Sequence, residues 1–125
     1  MAITLLNRFP NKLNVLDQNG SSLLHYACFY GNVEFVKYVF ENANIHIEVD
    51  VVDSRGLTPL HLACLGKTNM LKRVDLVKFL LKTYKEKGID INVEDNYQMT
   101  AKCFAEARAH EAILKLFEEE AQDTV

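Results

Sequence analysis

The nine residues Gly56 to Cys64, GLTPLHLAC, have a looser copy at Gly20 to Cys28, GSSLLHYAC, 36 residues upstream. A pattern that returns at such an interval restricts the chain to a fold built from repeated units. The local chemistry says what each unit begins with. Gly56 permits the positive backbone angles of a tight turn. Thr58 is suited to cap a helix, because its hydroxyl accepts from an amide of the first turn that has no other partner. Pro59 then occupies the first helical position, where its missing N–H costs nothing. Gly20, Ser22 and Leu23 repeat the arrangement. A more divergent copy, DNYQMTAKCFAEA, starts at Asp95 and offers Thr100 as cap and Ala101 as the next residue.

Each start is followed by a second amphipathic stretch: VEFVKYVF (33–40), VDLVKFLL (74–81) and AILKLF (112–117). Their apolar residues recur at steps of three and four, as one buried helix face requires. Short extended segments, IEVDVVD and IDINVED, then lead to Asp53 and Asp95, and ITLLNRFPNKLNVLD leads in the same phase to Asp17. The unit is therefore turn, helix, loop, helix, extended link. A helix pair this small cannot bury both apolar faces alone and must stack on its neighbours.

The Thr-Pro-Leu-His-x-Ala core of GLTPLHLAC resembles the signature of the ankyrin repeat. DSRG ahead of it, VDLVKFLL as second helix and GIDINVED as the return agree with the same family. The resemblance implies an all-α, ankyrin-repeat solenoid of about three stacked helix-turn-helix units joined by short hairpin loops. It divides one domain, 1–125, into a partial N-terminal repeat (1–16), a repeat (17–52), a repeat with insertions (53–94) and a C-terminal capping repeat with an acidic tail (95–125). The spacings of 36 and 42 residues exceed the family's period of about 33. The surplus is expected in loops: ENANIHIEVDVV after the second helix, GKTNMLKR between helices, and KTYKEKG at an exit. Gly31 matches the family's glycine at the end of the first helix, whereas Lys67 holds that register in the next repeat. Lys102 and Cys103 replace Leu and His in the third repeat, as suits a terminal unit with a solvated side. A chain opening inside a repeat, with Ile3, Leu5 and Leu6 short of a partner helix, is expected either of a short capping piece or, in preference, of a piece of a longer array.

Composition narrows the chemistry. The three cysteines of the 125 residues are too few and odd in number for a disulfide framework, which places the chain in a reducing, intracellular setting, cytoplasmic or nuclear. The N-terminus has no signal-peptide pattern, and no run is apolar enough to span a membrane. Two H-x-x-C pairs, His25/Cys28 and His61/Cys64, invite a zinc reading. Stacked helices lie about 8–10 Å apart, so register-equivalent donors cannot converge on one metal; the expectation is no metal and no cofactor. GKT at 66–68 lacks the upstream glycine of a phosphate-binding loop. NGS at 19–21 is a glycosylation sequon that matters only outside the cell, and the terminal DTV is read as a frayed end. His46 and His110 stand apart, and no nucleophile, base and orienting group can be assembled, so no catalytic residue is assigned and the chain is not expected to be an enzyme.

Binding is the remaining function class. The resemblance implies non-catalytic recognition of a partner protein on the concave surface formed by hairpin tips and first helices. It points to Asn19, Ser21, Arg55, Leu57, Tyr97 and Met99 at the tips and to Phe29, Tyr30, Leu65 and Arg108 at the ends of first helices. Tyr and Arg are favoured at binding hot spots. Phe29 and Tyr30 are expected to serve binding rather than stability. The segment 67–87 carries a net +5 against −8 for the remainder. Lys67, Lys72 and Arg73 are thus a second candidate, for an anionic ligand. The net charge of −3 and the lack of a basic face interleaved with aromatics disfavour nucleic acid. The alternatives for the whole are a regulatory or targeting segment of a larger multidomain protein, and a monomer or one part of a longer array.

Overall fold

A computed structural model describes residues 16–42, 51–66, 69–108 and 110–123, with the side chains of 120–123 excluded. Residues 1–15 of the partial repeat 1–16, most of the first insertion, His46, Lys67 and Thr68 lie outside the described residues.

The helices begin where the capping residues stand. Ser22, Thr58 and Thr100 each accept a hydrogen bond from the amide three residues on, His25, His61 and Cys103. They open α1 (Leu23–Phe29), α3 (Pro59–Leu65) and α5 (Ala101–Ala107), with α2 (Val33–Glu41), α4 (Met70–Lys87) and α6 (Glu111–Asp123) following in turn. In α1 and α3 the histidine returns the bond, its Nδ1 accepting the cap's own N–H at 3.1 Å. This is a reciprocal capping box in which His takes the place usually held by Glu or Gln. Asn32 and Asn69 cap α2 and α4 in the simpler way.

The helices form two rows. α3 packs between α1 and α5 in the inner row; α4 packs between α2 and α6 in the outer row; each inner helix also packs on its own outer partner. The core lies between the rows, with Leu24, Cys28, Val36, Leu60, Cys64, Leu76, Leu80, Ala105 and Ile113 essentially without solvent contact. The described residues contain helices and no strands, in the solenoid arrangement that the repeats imply.

One expectation is corrected. The surplus residues of the second repeat do not all form loops. Asn69 caps a helix that begins at Met70 and runs to Gly88, where φ is +70°. Met70–Arg73 and Lys82–Lys87 are therefore helical, because the apolar period continues through Tyr84, which is 2% exposed, and no Gly or Pro interrupts it.

The hairpin tips are three versions of one turn. Asp17 Oδ1 accepts the amides of Asn19 and Ser21, Asp53 Oδ1 those of Arg55 and Leu57, and Asp95 Oδ1 those of Tyr97 and Met99, all at 2.8–3.0 Å. Gly20, Gly56 and Gln98 occupy the same register with φ of +76°, +80° and +62°. Adjacent tips are joined: Ser54 N donates to Asn19 O at 2.8 Å, and Asn96 N to Arg55 O at 3.0 Å. The histidines join them again from below. His25 Nε2 bonds Leu57 O at 3.0 Å and His61 Nε2 bonds Met99 O at 2.9 Å. Because Nδ1 accepts a backbone N–H in each ring, Nε2 carries the proton and donates.

Candidate partner-binding surface

The two joined tips and the inner row enclose a recess of about 380 Å³. Its walls include Asn19 and Ser21 from the first tip, Arg55 from the second, Tyr26 and Phe29 from α1, and Tyr30 at the end of that helix. Tyr30 is 61% exposed, and Phe29 meets it edge-on with ring centroids 5.0 Å apart. Arg55 Nη2 pairs with Asp53 at 2.8 Å, which fixes the guanidinium beside the recess while its side chain stays 60% exposed. Burial pushes the Asp53 carboxyl upward, but the Arg55 side chain and the Leu57 and Arg55 amides outweigh it, and the group stays below its ordinary value. The Tyr26 hydroxyl, also at the recess, donates to Asp17, whose carboxyl this bond chiefly lowers. The surface thus presents aromatic area, one fixed cation and amide groups. Such a mixture suits recognition of a polypeptide.

The repeats themselves decide the family. A family model described as ankyrin repeats, in three copies, matches residues 2–95. The chain belongs to the ankyrin-repeat family. Ankyrin repeats generally mediate protein–protein interaction and are typically non-catalytic. Among curated proteins, the chain is similar to glycerophosphocholine phosphodiesterase GDE1 of Candida albicans, 39% identical in a 75-residue alignment covering 50% of this chain and 6% of that protein. It is also similar to the nuclear factor NF-kappa-B p105 subunit of Rattus norvegicus, 30% identical over 103 residues covering 80% of this chain and 10% of that protein. The chain therefore spans a tenth or less of the length of these relatives.

Within this ankyrin stack, the structure gathers Asn19, Ser21, Phe29, Tyr30 and Arg55 around one recess. Tyr97 lies apart at the third tip, 82% exposed, and Arg108 is exposed beyond the end of α5. Other sequence assignments change on packing. Leu57 is 4% exposed and belongs to the core, with its carbonyl taken by His25. Ser21 is 8% exposed and borders the recess without projecting from it. Leu65 and Phe29 are half-buried and pack on the core, so Phe29 also serves stability. Met99 is half-buried and its carbonyl holds His61. Ser54, a further tip residue, and Tyr26, which the sequence reading does not assign, also line the recess. Tyr26 was legible, since it precedes Tyr30 by one helical turn and shares its face.

The second candidate group divides. Arg73 is 6% exposed: its guanidinium donates to Gly66 O at the end of α3 and to His110 Nε2 at 2.9 Å. Starting α4 at Met70 turns Arg73 inward, where it joins α3 to the start of α6 and does not meet an outside anion. His110 is lowered from its ordinary value by burial and then by Arg73 and Arg108. Lys72 is exposed and Lys67 is outside the described residues.

The paired His and Cys residues are bound into the fold. Both nitrogens of His25 and of His61 are engaged in hydrogen bonds. Burial pushes the Cys28 thiol up strongly and that of Cys64 up to about 12, so neither is an available thiolate ligand at neutral pH. Among the described residues no three His, Cys, Asp or Glu side chains cluster as metal ligands, and no helix is long and apolar enough to cross a membrane.

Proposed function

We propose that this chain is a non-catalytic recognition module that holds a partner protein on its concave side, centred on the recess between the first two hairpin tips. The observation that carries the reading is the convergence there of Tyr26, Phe29, Tyr30 and Arg55, drawn from two repeats. Tyr30 and Arg55 are the anchors, Tyr97 extends the contact along the tips, and Arg108 extends it along the inner row. The repeat divisions at Asp17, Asp53 and Asp95 set the spacing of these contacts. No residue is assigned to chemistry on a substrate. Three free cysteines agree with a reducing, intracellular setting.

A photo-crosslinking residue placed at Tyr97, compared with one at Lys115 on α6, identifies the partner from the cells of origin. Tyr30→Ala combined with Arg55→Ala should then weaken binding of the purified partner by about tenfold or more, equivalent to about 1.4 kcal/mol. The melting temperature should stay nearly unchanged, because both side chains are largely exposed. Unchanged affinity in that variant refutes the concave site.

The small share of each relative that the chain covers favours a second reading, in which the module regulates or targets a larger polypeptide. Immunodetection of the native protein at a mass well above 14.3 kDa in denaturing gels of source cells supports it; a band at that mass removes it.

A further inference from the structure

The outer helix α4 is 18 residues long, against 9 for α2 and 13 for α6. Its buried residues run from Arg73 to Tyr84, and the opposite side of the helix faces solvent along the same length. At about 100° per residue, Leu71, Asp75, Lys78, Lys82 and Lys85 fall within an arc of about 80°. All five are exposed, Leu71 at 84%. Asp75 is met by Lys37 of α2 at 3.6 Å, so its charge is largely offset. What remains is a row of three lysines about 10 Å long, at 1.5 Å per residue, with the apolar Leu71 about 10 Å before it and the exposed Glu86 at the edge of the row. The neighbouring helices carry the opposite sign. Glu34 and Glu41 are exposed on α2, and Glu111, Glu118 and Glu119 on α6.

We propose that the solvent face of α4 is a second docking surface, and that its occupant is an acidic peptide segment of a partner protein. The carboxylates of the segment face Lys78, Lys82 and Lys85, and an apolar side chain beside them packs on Leu71. The acidic flanks select this occupant. A planar anionic membrane or a broad phosphate backbone would cover α2 and α6 as well and meet their glutamates, whereas one peptide strand or helix fits on the ridge alone. Electrostatic attraction of this kind makes association steeply dependent on salt. The ridge lies in the outer row and does not depend on the concave recess.

The test uses the whole chain and a fluorescein-labelled peptide of glutamate and leucine, read by fluorescence anisotropy at low and physiological salt. The wild type should bind at low salt and weaken as salt rises. The triple substitution Lys78→Gln, Lys82→Gln, Lys85→Gln should weaken binding by about tenfold or more, and Leu71→Ser by about threefold, with unchanged circular dichroism. Lys82→Glu alone provides a second variant should the triple one lose helicity, and it too must weaken binding. Lys115→Gln, on the neighbouring α6, should leave the peptide affinity unchanged, which confines the binding to the ridge. The proposal is overturned if the wild type ignores the peptide at low salt, or if the ridge variants bind it as the wild type does. It also fails if phosphatidylserine vesicles or a single-stranded oligonucleotide bind more tightly than the peptide.

Discussion

One aspartate should matter far more than its two register equivalents. Asp17, Asp53 and Asp95 each accept two amides of their own tip, so the sequence alone assigns them equal weight. Their surroundings differ. Asp53 is 5% exposed, and the Leu57 amide it accepts at 3.0 Å is buried. Asp53→Ala leaves that amide without an acceptor or water, at about 1–3 kcal/mol, and removes the less costly bond from Arg55 N, at about 0.5–1.5 kcal/mol. The ion pair to Arg55 adds little, since the arginine side is largely in solvent. The expected loss is about 3 kcal/mol, or a urea midpoint lower by about 1–2 M at an ordinary slope. Asp95→Ala should cost about 1 kcal/mol, because water replaces the carboxylate at the exposed Tyr97 amide and the half-buried Met99 amide. Asp17→Ala should also fall well short of Asp53→Ala. Asp53→Asn keeps an oxygen for the two amides and should retain most of the stability. Urea titrations of the four variants followed by circular dichroism, with the denaturant slope checked for constancy, decide the matter. Equal losses at the three alanine sites, or an asparagine as damaging as alanine at 53, would refute the burial argument.

Other outcomes follow from the same geometry. Gly66 has φ −64° and ψ 172°, which alanine tolerates, but an added Cβ would overlap Phe29 O and approach Phe29 C to 2.8 Å. Gly66→Ala should therefore destabilise by about 1–3 kcal/mol through forced separation of the first two repeats, measurable by thermal melting. Gln98 holds φ +62° where the other tips have glycine, so Gln98→Gly should stabilise by about 0.5–1 kcal/mol in the same assay, the relief of strain exceeding the added freedom of the unfolded chain. Burial lowers His25 and His110 below the ordinary value near 6.5, so below neutrality the folded state binds fewer protons than the unfolded one. Stability is then full above that value and falls as pH drops through it towards the folded values, by up to about 1.4 kcal/mol per pH unit for each histidine. His25→Gln should flatten the slope between pH 7.5 and 5.5 in urea titrations, even though it lowers stability at pH 7.5.

The fold was legible because the residues that announce it act locally. Thr58, Pro59 and His61 satisfy the first turn of their own helix, and Asp53 folds its own tip. Short-range chemistry of this kind survives in the sequence whatever the neighbours do. The length of α4 was not legible in the same way. GKTNMLKR carries a glycine and a run of polar residues, which reads as a loop, and Arg73 in particular reads as surface. It becomes a buried donor because α3 ends at Gly66 with a carbonyl aimed at it and His110 arrives from the next repeat. Gly66 opens the same segment, but His110 lies 37 residues away, so no pattern local to the segment could reveal that half of the joint.

The site was harder to read for a related reason. The family resemblance places Ser21, Leu57 and Met99, between each boundary aspartate and its helix cap, among the outward tip residues. In the structure the carbonyl at this position is the acceptor for the histidine of the preceding repeat, at Leu57 from His25 and at Met99 from His61. A residue whose backbone is held from below has its side chain drawn against the stack, and Leu57 is buried as a result. The bond that makes the position structural spans 32 residues at the first joint and 38 at the second, because the insertions lengthen the second repeat. The third repeat breaks the series. Cys103 stands where His25 and His61 stand, and its thiol meets Thr100 Oγ at 3.2 Å. A cysteine there cannot reach a further tip carbonyl, so the chemistry that ties each repeat to the next is absent from the trailing face. With Lys102 replacing the leucine and Glu106 exposed, that face suits solvent.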